Sequence, residues 1–122
     1  MAPASVLGNY DYVAFDSTGT PAVRGGLRIT SRDSGLIKGV WEFASTDSVM
    51  NYGPQVGRGI FAGFIDDDST VTINLNPGWA DNNVFLTGKI NGPLIEGKWS
   101  WDTIIGETNK GTFKARKLLL AV

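Results

Sequence analysis

Two stretches carry the side chains with most to offer a ligand. GLIKGVWEF spans Gly35–Phe43 and PLIEGKWSW spans Pro93–Trp101, and both read Leu-Ile-charged-Gly-x-Trp-x-aromatic. In the period-two alternation of a strand, Ile37, Gly39, Trp41 and Phe43 share one face, and Leu36, Lys38, Val40 and Glu42 share the other. In the second stretch Ile95, Gly97, Trp99 and Trp101 stand opposite Glu96, Lys98 and Ser100. The charges mark the solvent side, so the rings are expected to point inward. Flat π faces turned towards an interior offer stacking and apolar contact, which is the chemistry of recognition rather than of bond-making.

Residues for bond-making are few. The chain has no cysteine and no histidine, which excludes thiol nucleophiles, disulfides, Cys/His zinc sites and imidazole acid–base catalysis. Tyr12, Tyr52, Asp102 and Glu107 are the groups near one end that could supply a hydrogen bond or proton, but they form no defined pair. DDDS at 66–69 lacks the spaced oxygen ligands and downstream glutamate of a calcium loop and reads as an acidic turn. No cofactor or metal is expected, and an enzyme of this composition would be a cofactor-free cyclase or isomerase that holds a folded conformer. A net charge of −1, from 11 basic and 12 acidic residues, argues against a nucleic-acid partner.

The elements that must position the rings are strands. Sixteen glycines and scarce helical periodicity indicate an all-β chain. The patterning predicts eight strands: Gly8–Phe15, Val23–Ser31, Leu36–Ala44, Val56–Ile65, Ser69–Asn76, Asn83–Ile90, Leu94–Trp101 and Lys110–Lys117. Connections at 32–35, 66–68 and 91–93 are tight turns, whereas those at 16–22, 45–55, 77–82 and 102–109 are longer. Short and long alternate, which in a meander puts every long loop at one end. Closing the sheet removes its exposed edges, so residues 1–122 are expected to form a single domain, a closed eight-stranded antiparallel up-and-down barrel. A two-sheet sandwich also suits strands of this spacing, but the alternation of loop lengths favours the meander.

In that barrel Trp41, Phe43, Trp99 and Trp101 lie in the half nearer the long loops. With Tyr12 and Phe61 on the walls and Met50, Tyr52 and Trp79 in the loops above, they make a candidate pocket for a small apolar or ring-bearing ligand. The strand glycines Gly39, Gly97, Gly57, Gly59 and Gly63 read as devices for bending the sheet. Two other functions stay open: the template enzyme, and a protein-interaction or inhibitor domain, which a filled interior would favour. No segment is apolar enough for a helical membrane span, and MAPASVLGNY has neither the charged nor the apolar region of a signal peptide. The compartment is not fixed by these features. The ending KLLLAV gives the chain an apolar stretch that either packs along the barrel wall or pairs with another copy, which leaves a homo-oligomer through this tail open.

The eight-strand meander, with GNY near its start and TFKAR near its end, resembles the calycin barrels, the group that includes lipocalins and avidins. Those barrels carry Gly-x-Trp early in the first strand and a basic residue late in the last. Here Gly8, Tyr10 and Arg116 fall at the matching places, with tyrosine replacing tryptophan. The resemblance implies a ligand-binding barrel in which Arg116 packs over the Tyr10 ring and closes the narrow end. Lipocalin cysteines, the helix after the barrel and a set of avidin-like biotin contacts are missing.

Overall fold

The computed structural model describes residues 6–46, 53–78 and 82–118. Eight strands form a closed antiparallel barrel in sequence order: β1 (Gly8–Phe15), β2 (Pro21–Asp33), β3 (Leu36–Ser45), β4 (Gly57–Ile65), β5 (Thr70–Asn74), β6 (Asn83–Asn91), β7 (Leu94–Thr103) and β8 (Gly106–Lys117). β8 closes on β1 through a register that sets Tyr10 against Lys117 and Phe15 against Thr112. A three-residue 3-10 turn, Gly53–Gln55, precedes β4.

The strands alternate as their sequences require. Along β3 the inward residues Ile37, Gly39, Trp41 and Phe43 are buried, and Leu36, Lys38, Val40, Glu42 are exposed. Turns close on local chemistry. Asp66 Oδ1 accepts the amides of Asp68 (2.9 Å) and Thr70 (3.0 Å), so the acidic run at 66–68 is a side-chain-capped turn. Asp16 does the same for Thr18 and Thr20 at the opposite end.

Two expectations are corrected. The stretch 102–109 is not a long loop: β7 runs on to Thr103, β8 begins at Gly106, and only Ile104 and Ile105 join them. Gly106 at φ 113° supplies a backbone conformation that other residues rarely adopt, so the hairpin turns tightly and projects two exposed isoleucines. Second, Arg116 does not cover Tyr10. Its register partner is Asp11, on the outer face, and it is exposed. The Tyr10 hydroxyl instead donates to the Val6 carbonyl (2.7 Å), and the aliphatic stem of Lys117, one residue later, lies over Gly8.

Candidate functional site

The repeated strand motif has a second half on the next strand. Gly39-Val40-Trp41 on β3 pairs with Gly59-Ile60-Phe61 on β4, so Gly39 faces Phe61 and Trp41 faces Gly59. Gly97-Lys98-Trp99 on β7 pairs with Gly111-Thr112-Phe113 on β8 in the same reciprocal way. Phe61, Trp41 and Trp99 each lie over the glycine across the ladder, whereas the Phe113 ring reaches Gly88 on β6. A Cβ at Gly39 would meet the Phe61 ring at 2.5 Å, one at Gly111 would meet Trp99 Nε1 at 2.7 Å, and one at Gly59 would meet Trp41 Nε1 at 3.3 Å. The glycines therefore bend the wall and also clear space for rings to lie flat against it. The backbone repeats too: Ile65 N–H donates to Gly35 C=O, and Lys117 N–H to Pro93 C=O, both at 2.7 Å. The barrel is two similar halves, β1–β4 and β5–β8.

Trp41 and Trp99 each cross beneath the facing glycine to a third strand or its end. Trp99 Nε1 donates to Phe15 C=O (2.8 Å), and Trp41 Nε1 donates to Leu75 C=O (2.9 Å). Trp101 Nε1 donates to Asn82 Oδ1. Tyr12 stacks on Phe43 with centroids 4.0 Å apart and planes 5° from parallel, and on Phe113 at 5.8 Å. Its hydroxyl donates to Gln55 Oε1 (2.7 Å), carried in by the 3-10 turn that packs on β6 and β7. Gln55 thus bars the mouth from one wall to the other. It is fully buried, and its Nε2 has no hydrogen-bond partner among the described residues. Burial pushes the Tyr12 hydroxyl well above its ordinary pKa, so it keeps its proton at neutral pH.

Of the sequence-predicted residues, Tyr12, Trp41, Phe43, Phe61 and Trp99 are buried inside the barrel, and Trp101 is half-buried against them. Trp79, Met50 and Tyr52 lie outside the described residues. Asp102 and Glu107 sit on the β7–β8 hairpin, where Glu107 pairs with Lys110 (3.5 Å) and Asp102 accepts from the Ser100 hydroxyl (3.3 Å). Neither is brought to Tyr12 by any described contact. Among the described residues no three acidic side chains gather as a cation site. Sequence reasoning missed Gln55 and Phe113. The GIF/GTF echo would have exposed Phe113, whereas nothing local marks a loop glutamine as a plug.

A concavity of about 860 Å³ lies on the outer wall of β1–β4. Asn9, Arg28, Val40, Glu42, Arg58 and Ile60 are among the residues that flank it, and Gly26 leaves its floor bare. A second hollow of about 600 Å³ continues past Gly26 towards Arg24 and Gly57. Matching the two halves shows what is special about this wall. Val40, Ile60, Ala62 and Phe64 stand where the other half has Lys98, Thr112, Lys114 and Arg116. Ile60 is 70 % and Phe64 49 % exposed.

The halves also differ in closure. β8 and β1 pair as far as Thr112–Phe15, but β4 and β5 stop at Ala62–Asn74, before the equivalent Ile60–Asn76 rung. Asn76 is engaged elsewhere: its N–H donates to Asn74 Oδ1 (2.8 Å), and its C=O accepts from Asn83 Nδ2 (2.7 Å). Its own Oδ1 holds the Val84 amide (3.1 Å), which ties this end of β5 to β6. Because Ile65 N–H points towards β3, the alternation of the ladder turns the backbone groups of Arg58 and Ile60 the other way, past the end of β5.

No known family model matches the sequence, and no curated protein matches it either. Fold and geometry therefore define the class: a closed up-and-down β-barrel of two similar halves, with an aromatic interior and an outer wall on β3–β4 where Val40, Ile60 and Phe64 stand among charged side chains.

Proposed function

We propose that this barrel is a non-catalytic interaction domain that holds a polypeptide partner against the outer wall of β1–β4. The observation that carries the reading is the divergence between halves with the same interior motif. β7–β8 builds the glycine–ring interlock with Lys98, Thr112, Lys114 and Arg116 outside, so the interlock does not require Val40, Ile60, Ala62 and Phe64 on β3–β4. Exposed apolar side chains grouped beside a bare groove are what partner surfaces use. The interior rings meanwhile spend their polar groups on Gln55 and on the backbone.

The test uses a displayed peptide library and Gly26→Phe. A Cβ at Gly26 has nothing nearer than the Tyr10 carbonyl oxygen at 4.0 Å, so phenylalanine there fills the groove without straining the sheet. Selected peptides should bind the wild type and lose at least tenfold on Gly26→Phe. Peptides indifferent to the substitution would remove the outer wall from consideration.

A second reading rests on Gln55. A buried amide nitrogen without an acceptor, beside the Tyr12–Phe43 stack, suits a small ring-bearing molecule that carries a carbonyl and displaces the plug. Thermal-shift and tryptophan-fluorescence screens of such compounds test it, with Gln55→Leu expected to weaken any hit. Indifference across a broad panel would sink it.

A further inference from the structure

We infer that the outer wall takes its partner by strand addition: an extended peptide pairs with the open edge of β4 at Arg58–Ile60 and sets an acidic side chain against Arg58. The inference rests on the interaction reading above and specifies its occupant. Three observations lead to it.

The edge is real and local. Rungs Ala62–Asn74 to Ile65–Val71 are made, and the next is withheld because Asn74 and Asn83 hold both backbone groups of Asn76. The equivalent Thr112–Phe15 rung in the other half is present, so the fold permits it. Ile60 and Arg58 are left with N–H and C=O groups that no described strand pairs, as in a strand-accepting edge.

Arg58 is the one charged guard on this edge. Side chains beside it are Ile60 and Arg58, with Val40 and Glu42 opposite them across the ladder, and β4 carries no proline and no inward charge. Outward positions on the incoming strand would fall beside Ile60 and Arg58, two residues apart, and its intervening residue would meet Gly59, over the Trp41 indole.

Charge selects the occupant. Glu42 is the register partner of Arg58, but no carboxylate among the described residues lies within ion-pair distance of Arg58, whereas its counterpart Lys110 has Glu107 at 3.5 Å. A second copy pairing through its own β4, GRGIF, brings no carboxylate to Arg58. A peptide with an apolar residue and an acidic one two positions apart satisfies both neighbours and the backbone.

The experiment selects displayed random heptapeptides on the intact protein and resynthesises the clones. Enriched sequences should carry apolar-x-Asp/Glu. Their binding should slow amide exchange at Arg58 and Ile60 and change tryptophan emission. Ile60→Pro removes only an outward N–H and should weaken binding at least tenfold with its thermal midpoint retained. Ile60→Lys, which leaves the backbone intact, covers the case in which the proline variant does not fold. Methylating alternate backbone nitrogens of the peptide should abolish binding in one register and spare it in the other. Binding that Gly26→Phe destroys but both Ile60 variants and methylation leave untouched overturns strand addition and leaves the outer-wall function standing. Binding insensitive to all of them, or no enrichment, overturns both. A dimer dispersed by Ile60→Lys overturns the peptide as occupant in favour of a second copy.

Discussion

Trp41 and Gly59 face each other across β3 and β4, and the indole passes under the glycine to bond the Leu75 carbonyl at 2.9 Å. One side chain thereby joins β3 to the end of β5 where the backbone ladder between β4 and β5 has stopped. Trp99 does the same beneath Gly111, to Phe15. The interlock orders the glycines by what a methyl group would meet.

Gly39→Ala should be the most damaging of three substitutions. Its Cβ would run into the Arg28 carbonyl oxygen and the Phe61 ring, so backbone must move, at a cost of about 3 kcal/mol or more. Gly59→Ala asks only that the indole give slightly and should cost about 1 kcal/mol. Gly26→Ala should be neutral or stabilising by about 0.5 kcal/mol, because its Cβ enters open space. Urea unfolding of the three variants checks the ranking.

Trp41→Phe leaves the Leu75 carbonyl without its indole donor. The expected loss is about 1–3 kcal/mol beyond that of the smaller ring, with faster hydrogen exchange in β5 than in β1. Equal exchange in the two strands would deny Trp41 its bridging role.

Tyr12 and Gln55 should be coupled. Tyr12→Phe strands the second end of a buried amide whose Nε2 already lacks a partner, for about 1–3 kcal/mol. Gln55→Leu strands the phenol hydroxyl but removes that orphan. The double variant should lose less than the sum, with a coupling of about 0.5–3 kcal/mol in a double-mutant cycle.

The same tyrosine sets the alkaline limit. Its folded pKa lies above the unfolded value of about 10, so the stabilising preference for the neutral phenol is whole below pH 10 and is lost as pH rises towards the folded value. Unfolding midpoints should fall above about pH 10, less steeply in Tyr12→Phe. At the acid end Asp16 is held below its usual range, chiefly by the Thr18 hydroxyl and then by the Thr20 amide. That contribution is present above about pH 4 and is lost as pH falls through the depressed folded value. The Thr18 and Thr20 amides should then exchange faster, and Asp16→Asn should remove this pH dependence.

In the free protein the Ile60 amide should exchange like an unstructured one, whereas the Thr112 amide, at the matching place in the other half, should be protected. Comparable protection of the two would mean that β4 has no open edge.

Much of the architecture is determined by the chain itself. Alternation of Ile37, Gly39, Trp41 and Phe43 against Lys38 and Glu42 sets which face is buried, because a strand has a period of two. Asp and Gly turn residues set the connections, except at 102–109, where Gly106 permits a tighter turn than the polar stretch implied. What the sequence could not settle is which strands' residues meet. The fit of Trp41 under Gly59, the entry of Gln55 beside Tyr12 and the withheld rung at Ile60 all depend on register between segments distant in sequence. Local pattern specifies the side of the sheet a residue faces. Only closure of the barrel decides what it finds there, because its neighbours come from other strands.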